Sequence, residues 1–214
     1  MLFKIASCLL LIVSLAAGSN EILLIDRIAA VVGEKVITFS DVDKAVQIYP
    51  VLRERDESER SFYLRILEEL INQEVVHLEF ARDFVLTEDD FELVQTPVLK
   101  KAGTMENLLA TLQEFSMDWN DFRAFIKSKV LYEKVIREKF QLRLLVSFSE
   151  IENFYRQEYR PLQESLGLKP LSLLEMAPLI ENHLRNREAE KKLQEWLLEL
   201  RSLYRLENKM EGEE

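Results

Sequence analysis

The sequence predicts a mostly α-helical chain with a small β element, in which an N-terminal β-hairpin is closed by a C-terminal strand. Three observations predict it. Gly and Pro number only 5 each among 214 residues, which argues against a sandwich or barrel. Long stretches repeat apolar residues every three and four positions. Two β-prone runs near the N-terminus flank Gly33-Glu34, and a two-residue loop beginning with Gly suits a type II′ hairpin turn.

Residues 1–19 read as a secretory signal peptide. Lys4 supplies the charge, Ile5 to Ala17 is nearly all apolar, and Ala16-Ala17-Gly18-Ser19 offers a small-residue cleavage site. An uncleaved anchor is the alternative, although the apolar run is short for a bilayer. Ile5-Ala6-Ser7-Cys8 precedes the main apolar run, so it is not a lipoprotein box. Cleavage would remove Cys8, the one cysteine, and leave no disulfide or thiolate chemistry. It would also take Lys4 away and move the net charge from −10 to −11.

The hairpin is expected over residues 22–39. Helices follow over 41–159. Ser40 with Asp43 has capping-box spacing and Pro50 ends that first helix. The stretch from about Glu57 to Asp83 carries Tyr63, Ile66, Leu67, Leu70, Ile71, Val75, Leu78 and Ala81 on one face. Thr87 with Asp90 is a second capping box. Pro97 is expected to kink or end that helix, and Gly103 to close it. Thr104 opens a short helix with Leu108, Leu109, Leu112 and Phe115. Asp118 opens a long one with Trp119, Phe122, Ile126, Val130 and Phe140. Ser147 with Glu150 is a third box.

Residues 160–171 contain Pro161, Gly167 and Pro170 and read as a crossover loop. A closing helix is expected over 172–202, with Leu193, Trp196, Leu197, Leu200 and Leu203 on one face. A short strand over 203–206 is expected to pair with the hairpin. Residues 208–214 read as a disordered acidic tail.

The order and spacing of these segments resembles the periplasmic chaperones of the SurA family, whose core is related in architecture to the PrsA and trigger-factor chaperone domains. The segment Ile25 to Val42 looks like that family's opening hairpin and first cap. Leu70-Ile71-Asn72-Gln73-Glu74, Leu86-Thr87-Glu88-Asp89-Asp90-Phe91 and Trp119-Asn120-Asp121-Phe122-Arg123 are similar to helix segments of the core. Val146-Ser147-Phe148-Ser149-Glu150-Ile151 resembles the lead into a parvulin prolyl-isomerase domain, and Asn186 through Arg201 the closing helix. The resemblance implies a SurA-type chaperone core over 20–207. A parvulin domain cannot fit between Arg160 and Leu171, since compact domains start near roughly 50 residues. The chain therefore resembles a parvulin-free member, and isomerase activity is not carried over.

The residues offer little bond chemistry. His77 and His183 lack partners at metal-ligand spacing. The adjacent pairs Asp89-Asp90 and Glu68-Glu69 read as solvated faces or first-turn dipole partners. No phosphate loop or nucleophile elbow occurs, so no enzyme activity, cofactor, metal or small-molecule substrate is expected. The acid excess argues against nucleic acid. The function expected from the resemblance is an ATP-independent periplasmic holdase for unfolded outer-membrane or envelope proteins. The alternative is a dedicated assembly subunit that holds one envelope partner. Pairing of two copies by exchange of the hairpin or last helix is left open. Met105, Leu109, Phe115, Met117, Trp119, Phe122 and Phe125 are the candidate client-binding residues, because Met and aromatics are adaptable contact surfaces. Ordinary core packing is the competing reading of most of them.

Overall fold

A computed structural model describes residues 26–140 and 145–210. The expected signal peptide lies outside the described residues. The chain is mostly helical, with one small antiparallel sheet of order β2-β1-β3.

Strands β1 (Ile28–Val32) and β2 (Lys35–Thr38) form the hairpin, with register Val31↔Val36 and Val32↔Lys35. Of the hairpin expected over 22–39, residues 22–25 lie outside the described residues, and Asp26, Arg27 and Phe39 are not strand. Gly33 sits at φ 60, as the first central position of a II′ turn requires. Ala29, Ala30, Val32 and Ile37 face the core.

Helix α1 (Phe39–Ile48) starts earlier than expected, because Thr38 rather than Ser40 is its cap. Asp41 returns the bond to the Thr38 amide. Both pairs have the same spacing. Thr38 prevails because the rest of the other pair is engaged elsewhere: the Ser40 amide donates to Asp26, and Asp43 accepts from the Tyr63 hydroxyl. Before Pro50, Tyr49 turns extended and ends the helix.

Helix α2 (Glu59–Phe80) is the spine, capped by Ser58. It buries Phe62, Ile66, Leu67, Ile71, Val75 and Val76, whereas Leu78 and Ala81, at the end of the expected apolar face, are exposed. Helix α3 (Glu88–Ala102) has the expected Thr87/Asp90 box and ends at Gly103, φ 81. It runs through Pro97 without ending. Helix α4 (Met105–Glu114) starts at the Thr104 cap and buries Leu108 and Leu112. Helix α5 (Trp119–Phe140) packs against α2, α3, α4 and the last helix. These elements enclose the main core.

The expected crossover loop is corrected. Helix α6 (Phe148–Phe154), a π-helical stretch (Tyr155–Tyr159) and helix α7 (Arg160–Ser165) form one continuous run. The Arg160 amide reaches back five residues to the Tyr155 carbonyl, and Pro161, the second residue of α7, follows the π-helical stretch that lets the run continue. Only residues 166–172 are loop.

Helix α8 (Leu173–Arg201) is about 44 Å long at 1.5 Å per residue and includes Pro178. Its first half packs against α6 and the π-helical stretch to form an arm, with Ile151, Ile180 and Leu184 buried. Its second half returns to the main core through Leu197 and Leu200. Of the face expected there, Leu203 is exposed.

Strand β3 falls at Leu206–Asn208 instead of 203–206, and pairs antiparallel with β1. The expected tail is ordered as far as it is described: the Lys209 amide donates to the Ala29 carbonyl at 2.8 Å, and Met210 is buried. Glu68 on α2 accepts from both Arg201 and Asn208, tying the chain end to the spine.

Candidate functional site

The expected client-binding residues separate into different environments. Met105 and Leu109 are exposed on α4. A Schellman turn follows: the Met117 amide bonds to the Leu112 carbonyl and the Ser116 amide to Gln113. Ser116 is left-handed there, at φ 54, a conformation that costs a non-glycine residue about 1–2 kcal/mol. The turn sets Met117 and Trp119 beside Leu109 around a shallow depression of about 430 Å³. Phe115 is half-buried.

Phe122 is not available to a client. It is wholly buried, with its ring 5.1 Å from Trp119. Phe125 lies elsewhere, stacked on Tyr49 at 5.5 Å. Trp119 and Phe125 both pack against the main core. The core wraps α5 on several sides, so both rings reach it from different faces of the helix. Of the seven residues, only Leu109, Met117 and Trp119 share the depression.

The larger apolar surface is on the arm, and the sequence reading missed it. Leu145, Phe148, Leu162, Leu166, Leu168, Leu171, Leu174 and Leu179 are all exposed there, Leu174 to 86% and Phe148 to 64%. Isolated exposed leucines are ordinary, but a concentration on one projection is not. A signal was present. Residues 162–174 hold six leucines, too apolar for a solvated loop.

The arm is held in shape by polar contacts of its own. The Tyr155 hydroxyl donates to the Leu171 carbonyl at 2.7 Å, and the Leu171 amide donates to the Tyr159 oxygen at 3.2 Å. The two rings lie 5.5 Å apart, on one side of the π-helical stretch. Gly167, at φ 70, closes α7 with a second Schellman turn, in which the Leu168 amide reaches Gln163. The Ser172/Glu175 box opens α8. The loop leucines are thus presented on a fixed backbone.

The titratable groups serve structure. Asp90 is only 6% exposed, so it is not on a solvated face. Burial alone would raise its carboxyl, but Lys134 at 2.7 Å, the Thr87 cap and Arg137 at 2.7 Å hold it well below the usual carboxylate range. Glu68 is likewise engaged, by Arg201. Glu57 falls to about 2 through its bonds with Arg65. His183 stacks on Phe154 at 5.0 Å. Among the described residues no group of His, Cys, Asp and Glu could hold a metal ion, and no helix is long and apolar enough to cross a membrane.

The fold and surface together define a class: a helical body closed by its own chain ends and carrying an apolar arm. Compared with known protein families and with curated proteins, the chain has no match in either.

Proposed function

We propose that the chain is an ATP-independent holdase of the SurA-like, parvulin-free kind, acting in the periplasm on unfolded outer-membrane or envelope proteins. The observation that carries this reading is the set of leucines around Leu174 and Phe148, exposed on an ordered arm that does not need them for its own core. Such a surface offers many shallow contacts to apolar segments, and none is deep enough to hold a client irreversibly. A net charge of −10 keeps a chain with exposed apolar surface soluble. The periplasmic location rests on the signal-like residues 1–19.

Aggregation suppression tests the proposal. The chain should slow the aggregation of several unrelated unfolded proteins. Leu174→Ser combined with Phe148→Ser should abolish that effect while shifting stability by less than about 0.5 kcal/mol, as for surface positions. Full suppression by the double variant would remove the arm as the client surface. Suppression confined to one envelope protein would identify a dedicated assembly subunit instead.

A further inference from the structure

A second cleft, separate from the arm, lies where β2, the start of α1, α2 and α5 meet, and has a volume of about 150 Å³. Its floor is apolar: Ile37, Leu70 and Phe125. In that floor lies Gln73, only 4% exposed. Among the described residues its side chain has no hydrogen-bond partner, and it is not one of the fully sealed unpaired groups, so its amide opens into the cleft. Buried side-chain amides are ordinarily bonded, and one left open to a cleft marks a position for a partner.

The carboxylates around it are occupied. Asp41 is bonded to the Thr38 amide and Lys44, and Glu74 accepts from Ser128 at 3.3 Å. With Lys44 paired to Asp41, two ammonium groups, Lys35 and Lys44, stand against two carboxylates and leave the rim close to neutral, which favours an uncharged occupant. A primary amide donates and accepts side by side, the complement of a peptide group. A cavity of this size has room for one apolar side chain.

We propose that this cleft binds an uncharged, extended polypeptide segment, with Gln73 hydrogen-bonding one of its peptide groups and Ile37, Leu70 and Phe125 receiving a neighbouring apolar side chain. The proposal rests on the reading of the chain as a binder of unfolded segments and adds a second, polar point of contact to it.

The test is fluorescence anisotropy of a labelled peptide of alternating leucine and threonine with the full chain. Two cleft variants and the Leu174→Ser, Phe148→Ser double variant are compared with the unaltered chain, each with a thermal melt. Gln73→Leu keeps the bulk and removes the amide. Ala124→Trp fills the cleft from an exposed rim position. Gln73→Leu should weaken binding about tenfold, the loss of a hydrogen-bonded peptide group, with a melting temperature unchanged or raised. Ala124→Trp should block binding at the cleft. Unchanged affinity in both variants, with binding lost in the Leu174→Ser, Phe148→Ser double variant, would overturn the cleft and leave the holdase reading standing. No binding by the unaltered chain would overturn both.

Discussion

The body and the arm are built from similar amphipathic helices but treat their apolar residues differently. In the body, α2 and α5 each touch several other helices, so Ile66, Leu67, Ile71, Phe122, Ile126 and Val130 are enclosed. In the arm, one helical run lies against half of α8, and only Ile151, Ile180 and Leu184 are buried. A helix with a single neighbour can hide one stripe. Apolar residues on its other sides stay in water whatever their number. Most of the body's leucines are therefore accounted for by stability, and most of the arm's are not.

The comparison can be broken most sharply inside the body. Phe122→Ala should cost about 4 kcal/mol, the scale for emptying a fully enclosed aromatic site, measured by denaturant unfolding. Next is Asp90→Asn. It leaves Lys134 and Arg137 without their buried partner and should cost about 3 kcal/mol at pH 7. Because the folded Asp90 carboxyl is depressed, its contribution is complete above the unfolded value of about 4 and declines as pH falls below it. Unfolding at pH 3 should therefore show a smaller gap between wild type and variant than at pH 7. Deleting residues 206–214 removes β3 and the buried Met210, and should lower stability by about 2–3 kcal/mol in the same assay.

The arm should respond on a smaller and more local scale. Ile180→Ala should cost about 2 kcal/mol in a core of three buried residues that can relax around it. Hydrogen exchange should quicken over residues 148–184 while amides of α2 and α5 stay protected. Acceleration throughout would mean that body and arm open as one unit. The smallest effect runs the other way: Ser116→Gly relieves a left-handed serine and should raise stability by about 1 kcal/mol.

The arm was also the part least legible in the sequence, and α8 shows why. Leu197 lies 13 residues after Leu184, a rotation of about 220° at 100° per residue, so the helix turns different faces to arm and body. A search for one continuous stripe finds the body-facing half and misses the other. In the same way, Pro161 and Gly167 signal a loop correctly only where no helix can absorb them. The π-helical stretch before Pro161 lets the helix continue, and Gly167 ends it. Among the residues expected from the sequence to bind clients, Phe122 and Leu109 are both apolar, and only the packing of their helices buries one and exposes the other.

Features settled within one turn of chain are legible in the residues alone. The Thr87/Asp90, Ser147/Glu150 and Ser172/Glu175 caps and the Gly103 stop all use partners no more than four residues away. Tertiary structure decided what depends on distant partners. Lys101, about 50 residues further along the chain, closes the end of α1 by donating to the carbonyls of Val46, Gln47 and Tyr49. Burial lowers the pKa of that ammonium, yet the helix terminus favours its charge. Asp90 acquires two cations, and Gln73 is left in a cleft with no partner among the described residues. Spacing along a chain specifies a hydrogen bond across one turn, whereas burial and long-range pairing depend on which helices come to lie against each other.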